Sequence, residues 1–198
     1  MAAVFDNILS NFNAKHVVYT FFKSHSGVNV MRSILQMCGV RSENYSGDLN
    51  DRQRTVLLKE FNSPKNRYGD RIKVLFVTDA GKEGISLLEV GHLHILESDE
   101  RGNKIKQIEG RVVRFRSHAD MPPELQRVHV WRYWSMPGEY TVEKEQVNPQ
   151  GELVKIETNI AQPPSMDELL HNESFNKIAV VEAFEKLMIQ HSIERYNQ

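Results

Sequence analysis

His16-Val17-Val18-Tyr19-Thr20-Phe21-Phe22 is a dense run of β-branched and aromatic residues. It is short enough to be a strand and apolar enough to be buried on both faces, as central strands of parallel sheets are. After it, Ser24 or Ser26 can cap a helix whose apolar residues Val28, Met31, Ile34, Leu35 and Cys38 recur at spacings of three and four, and Gly39 can stop it. The unit then repeats. An extended piece from Val40 to Tyr45 leads through Ser46-Gly47-Asp48 to a second helix, capped by Asn50 or Asp51 and carrying Val56, Leu57, Leu58 and Phe61.

A polar Pro/Gly loop, residues 62–70, precedes a further apolar strand, Ile72 to Val77, which ends at Thr78-Asp79-Ala80-Gly81. Val90 to Leu96 reads as a strand, Lys104 to Phe115 as a helix and Val128 to Trp134 as a strand. Strands alternating with helices define an α/β fold built on an open, mostly parallel sheet. Beyond Ser135, two extended stretches flank Asn148-Pro149-Gln150-Gly151, the pattern of a β-hairpin, and Ser165-Met166-Asp167-Glu168 is a capping box ahead of a helix over about 175–190. The expected organisation is a core over 1–135, a hairpin insertion over 136–162 and a C-terminal helical extension over 163–198.

The 198 residues carry 25 Lys and Arg against 26 Asp and Glu. That balance excludes a globally basic nucleic-acid binder but allows a locally basic groove, and Arg101, Lys104, Lys106, Arg111, Arg114 and Arg116 are crowded together. The single cysteine, Cys38, excludes an internal disulfide and a zinc knuckle. Its place in the apolar pattern of its helix suggests core rather than nucleophile. The first fifteen residues lack the apolar core of a signal peptide, and no stretch approaches the ~18 apolar residues of a membrane span. The expected setting is intracellular and reducing, with no membrane partner.

Two arginines three apart in Gln107-Ile108-Glu109-Gly110-Arg111-Val112-Val113-Arg114 would share a helix face and could converge on one polyanion. The bland alternative is a pair of surface ion pairs, with Glu109 for instance. Thr78 and Ser24 lie where a strand runs into a helix, so each could cap a helix or donate to a phosphate. Gly47 and Gly84 could be plain turn residues. His92 and His94 share a strand face but lack a third ligand at plausible spacing, so no metal site is assigned. Trp131 and Tyr133 share a face that could pack under the hairpin or the last helix. No Gly-x-x-x-x-Gly-Lys-Ser/Thr loop occurs.

Taken in order, His16 to Phe22, Tyr45-Ser46-Gly47, Thr78 to Ser86 and Gln107 to Arg114 resemble motifs of the second RecA-like domain of superfamily 2 helicases. Within that superfamily, Glu83 to Leu87, His94 to Glu97, Gly110 to Arg114, Ser117-His118 and Met121-Pro122 look most like Swi/Snf-related helicases of large nucleocytoplasmic DNA viruses, which include poxvirus-type early-transcription ATPases and relatives in asfarviruses and giant viruses. Two departures stand out: Ser86 replaces a frequent aspartate, and Ser98 to Arg101 replaces a Trp-Asn pair.

The resemblance implies a RecA-like sheet with helices on both faces. It implies Arg111 and Arg114 as catalytic arginine fingers, with Gln107, Gly84 and Ser86 at the nucleotide. It also implies that Thr78, Ser24, His25, Gly47 and Lys82 hold a nucleic-acid backbone, DNA being the expected polymer. ATP with Mg2+ would be bound mainly by a first lobe of the same parent chain, without which this chain is inactive. Transcription machinery is a further expected partner, and the cytoplasm or virion the expected location. The rival readings are a non-catalytic docking module with the same fold, or a transferase whose arginines bind a sugar phosphate.

Overall fold

In the computed structural model the His16 run becomes β1 (Lys15–Thr20), buried along its whole length. The structure describes all residues except 1, 22–26, 79–84, 98–102, 136–139, 148–152, 161–164 and 191–198. The chain divides into two compact units, Met1–Tyr133 and Trp134–Gln198.

The first unit runs α1 (Ala2–Ser10), β1, α2 (Val28–Met37), β2 (Ser42–Tyr45), α3 (Asp51–Phe61), β3 (Val74–Thr78), β4 (Val90–Ile95), α4 (Asn103–Val112) and β5 (His129–Arg132). The sheet order is β2-β3-β1-β4-β5, and every pairing is parallel. The expected central strand is therefore the middle one of five. Alternate residues of the strands face opposite ways: Val17, Tyr19, Leu75, Val77 and Leu93 join Phe61, Ile108 and Val112 in one core cluster. Val18, Val74 and Phe76 join Val4, Ile8, Val28, Met31 and Leu35 in the other. Helices thus cover both faces, α3 and α4 on one and α1 and α2 on the other.

Helix ends follow the local chemistry. Asn50 caps α3 in a reciprocal capping box with Gln53. Gly39, at φ 72°, ends α2, with Val40 N–H donating to Leu35 O and Gly39 N–H to Gln36 O in a Schellman arrangement. Cys38 sits at this C-cap and is exposed, which corrects its expected place in the core: the helix stops one residue too early to turn it inward. At the other end Gly27 is the N-cap without a side-chain cap bond, while Ser24 and Ser26 lie outside the described residues.

Two features of this unit were not foreseen. Helix α1 buries Val4 and Ile8, a four-residue spacing too short to stand out as periodicity. Lys15 is fully buried, donating to Phe61 O at 3.0 Å with Glu89 at 3.8 Å, and burial lowers its pKa to about 8.

Gly91, at the start of β4, passes so near the chain before β1 that a Cβ on it would stand 2.7 Å from Ala14 Cβ. Gly91→Ala is therefore expected to destabilise the unit by ~1–3 kcal/mol through overpacking, read as a lower urea midpoint at unchanged m-value.

In the second unit β6 (Tyr140–Val147) and β7 (Leu153–Ile160) pair antiparallel, the hairpin read from the sequence. The capping box is also formed, Glu168 N–H donating to Ser165 Oγ and Ser165 N–H to the Glu168 carboxylate. It opens a single helix, α5 (Met166–Gln190), which starts nine residues before the apolar periodicity suggested. Val180, Val181, Phe184, Leu187 and Met188 on α5 are exposed.

Candidate functional site

Parallel α/β sheets place their chemistry at the carboxyl ends of the strands. Here Thr20 and Thr78 end β1 and β3 in register. Glu97, just past β4, accepts from Thr20 Oγ1 at 2.6 Å and from Phe21 N–H at 3.1 Å, tying the ends of β1 and β4 together. Thr78 is fully buried, and its Oγ1 has no hydrogen-bond partner among the described residues. An orphaned buried hydroxyl costs about 1–3 kcal/mol, so this residue is held against local stability.

Beyond β2, on the neighbouring strand, Ser46 and Gly47 form a turn in which Arg54 donates to Gly47 O at 2.9 Å. Positive φ among the described glycines falls at Gly39 and Gly69, so a left-handed turn is not the reason for glycine at position 47. Ser24, His25, Lys82 and Gly84 lie outside the described residues.

Helix α4 forms because Ile105, Ile108 and Val112, three and four apart, pack into the core cluster with α3. Gln107 and Arg111, one turn apart, fall away from that stripe; Gln107 is exposed and Arg111 half-buried. The helix ends at Val112, so Arg114 does not share its face as the spacing predicted. Ser117 sits at the break, its Oγ accepting from Arg114 N–H at 3.3 Å and lying 2.8 Å from His118 Nδ1 and 3.2 Å from Val112 O.

The guanidinium of Arg114 instead reaches Ser86, Nη1 donating to Oγ. Two residues expected at one nucleotide are thereby brought together across 28 positions. Arg111 is close in the backbone, since Leu87 N–H donates to its carbonyl at 3.1 Å. Its guanidinium has no partner among the described residues. The expected surface pairing with Glu109 is not made, because Glu109 takes Arg132 at 2.7 Å.

Asn62 is the positioning residue that sequence reasoning missed. From the end of α3 its side chain donates to Ser86 O at 2.8 Å and accepts from Leu88 N–H at 2.9 Å, holding the segment that meets Arg114. Only the fold brings it there, so no local pattern could have announced it.

On the face covered by α1, His16, His92 and His94 are buried and part of a stack with His129, Trp131 and Tyr133. With both rings neutral, hydrogen-bond polarity gives one arrangement of the protons. A carbonyl can only accept, so His16 Nε2 donates to Asn11 O at 2.9 Å, and its bare Nδ1 accepts from His94 Nε2 at 3.0 Å. His94 Nδ1 then accepts from Tyr133 Oη at 2.8 Å, which accepts from Asn7 Nδ2 at 2.9 Å. Every ring is neutral in this chain of bonds. Burial pulls the pKa of His16 and His92 to about 4 and that of His94 to about 3. Among the described residues no group of three His, Cys, Asp or Glu could hold a metal ion. Trp131 and Tyr133 share the face of these histidines, Trp131 Nε1 donating to His92 Nδ1 at 3.1 Å.

A five-stranded parallel sheet with helices on both faces is the architecture of a RecA-like α/β domain. The chain belongs to the helicase conserved C-terminal domain family, which matches residues 1–116. It shares 32% identity over 134 residues with a candidate ATP-dependent RNA helicase of Acanthamoeba polyphaga mimivirus, covering 61% of this chain and 23% of that protein. With nucleoside triphosphatase I of Melanoplus sanguinipes entomopoxvirus it shares 32% over 123 residues, 62% of this chain and 19% of that protein. The chain thus spans about a fifth of the length of these curated relatives. The crystal structure of the C-terminal part of the Fun30 ATPase domain superposes with a TM-score of 0.53 at 15% identity, covering 66% of this chain and 38% of that one. The resemblance read from residues 78–87 and 107–114 is borne out at the level of the family, and the viral relatives are those it named. No described helix is long and apolar enough to cross a membrane.

Proposed function

We propose that the chain is the second lobe of an ATP-dependent helicase or translocase acting on nucleic acid, with DNA the polymer expected. One observation carries this reading: Arg114 is held at Ser86 with Arg111 beside it, and neither guanidinium is spent on a carboxylate among the described residues. A planar, permanently charged fork placed in this way suits charge developing on a transferring phosphoryl group.

ATP bound mainly on a first lobe of the parent protein would supply the phosphoryl chemistry. Arg111 and Arg114 would complete its site on lobe closure, with Gln107, Ser86 and Gly84 bordering it. The residues described here fit the phosphates rather than Mg2+, since no acidic or histidine cluster faces the arginines; the metal would sit on the other lobe. Gly47, Ser24, His25 and Lys82 would grip one strand's backbone without reading its sequence, and Thr78, buried at the end of β3, would join them on opening of that strand end. The lobe would occupy residues 1–135, with 136–162 and 163–198 as appended elements.

Thr78→Val tests the grip. Replacing an orphaned buried hydroxyl by a methyl of the same shape is expected to stabilise the unit by ~1 kcal/mol, read as a higher urea midpoint. The same substitution is expected to weaken single-strand binding several-fold at low salt in a filter or anisotropy assay. Unchanged binding would remove Thr78 from the contact set.

A further inference from the structure

The turn after Arg114 presents an aromatic ring in a way that packing does not explain. Phe115 is 90% exposed, yet the backbone that carries it is pinned on all sides. Ser117 N–H donates to Arg114 O at 2.9 Å, and Glu89 N–H donates to Ser117 O at 2.9 Å. The Ser117 hydroxyl, itself nearly buried, accepts from Arg114 N–H and lies 2.8 Å from His118 Nδ1. Within this turn Arg116 is held at φ 62°, in the left-handed region that disfavours a side chain. Such strain costs of order 1–2 kcal/mol for a non-glycine residue and persists where its surroundings enforce it. Its result is that the Arg116 guanidinium stands 5.7 Å from the Phe115 ring centre, within cation–π range.

A solvent-facing phenyl ring on a hydrogen-bonded turn, backed by one arginine and next in sequence to Arg114, with Arg111 one helical turn earlier, matches a ligand that joins a flat aromatic base to phosphate. Bases stack on exposed aromatic rings irrespective of their identity, at about 1–3 kcal/mol each, and guanidinium forks take the phosphates. Simple hydrophobic docking suits the site less well, because three guanidinium groups lie in the same short segment.

We propose that Phe115, backed by Arg116, is a stacking platform for a nucleobase whose phosphates are held by Arg114 and Arg111. This deepens the function proposed above and rests on its assignment of the arginines to phosphate. The shared chemistry is the nucleotide; the assignment of Arg114 to ATP makes its source a free nucleoside triphosphate rather than a nucleotide of a bound strand.

The 198-residue chain itself serves for the test, by NMR titration with ATP, with a short oligonucleotide and with inorganic tripolyphosphate, which has charge but no base. Phe115 is so exposed that Phe115→Ala should leave the fold intact, as the unchanged amide spectrum of the core would confirm. The expected result is ~10-fold weaker binding of ATP in Phe115→Ala, with tripolyphosphate affinity unchanged and Phe115→Tyr close to wild type. Loss confined to ATP identifies the free nucleotide as the source, as the assignment of Arg114 to ATP requires, and loss confined to the oligonucleotide overturns that assignment together with the platform. Base-bearing ligands that bind Phe115→Ala as well as wild type, or that do not bind the wild-type chain at all, overturn the platform. Arg114→Ala reports separately on the underlying reading: if it leaves tripolyphosphate affinity unchanged, the phosphate assignment fails whatever Phe115 does.

Discussion

Acidification from pH 7 to pH 5 is expected to remove about 4 kcal/mol from the stability of the first unit through His16 and His94 alone. Both have native pKa values, about 4 and about 3, far below their ordinary value of 6.5. Between those limits the unfolded chain takes up protons that the native chain refuses. The stabilisation is therefore complete above pH 6.5 and is lost as pH falls toward the native values. At pH 5 the loss is about 2 kcal/mol per histidine, a large fraction of the 5–15 kcal/mol that typical domains possess.

A proton added to His16 Nδ1 would require His94 to shift its own proton from Nε2 to Nδ1, and one added to His94 Nδ1 would displace the bond from Tyr133. Urea midpoints followed by circular dichroism should be nearly level between about pH 7 and 8 and fall steeply below pH 6.5. A flat profile from pH 7 to 5 would show that these rings are not buried neutral.

Much of the fold was legible in the sequence because its strands are apolar through and through while its helices are apolar on one side. The His16 and Ile72 runs located β1 and β3 within two residues, and the Lys104 to Phe115 stretch contained α4 to within a residue at its start. Features made by long-range contact were not legible. The histidine stack joins three strands, so His92 and His94 looked like a surface pair until His16 and Tyr133 were placed beside them. Helix α1 offers only Val4, Ile8 and part of Phe5 to the core, and its Asn7 matters through a partner 126 residues away.

The candidate site divides in the same way. Its residue types could be read along the chain, but their arrangement could not. Periodicity put Arg111 and Arg114 on one helix face, whereas the helix ends between them at Val112 and Arg114 crosses to Ser86. Asn62 joined the site only through the fold. Helical spacing assumes that the helix continues, and here it stops one turn too early.

The largest effect is expected from Arg114. In the two-lobe parent protein, Arg114→Ala should lower ATP turnover by ~10³-fold or more, which corresponds to about 4 kcal/mol of transition-state stabilisation. The side chain is exposed and bonds only Ser86 among the described residues, so folding should be spared. Nucleic-acid binding should be nearly unchanged, since the proposed backbone grip lies on other strand ends. Lysine should not substitute, because a single ammonium cannot reproduce a fork directed at Ser86 and phosphate together.

Steady-state ATPase turnover of that two-lobe protein with saturating nucleic acid, compared between wild type and Arg114→Ala, is the most direct measurement. The second-lobe assignment predicts a fall of at least about a thousandfold in kcat with strand affinity retained. Turnover within a few-fold of wild type would contradict it.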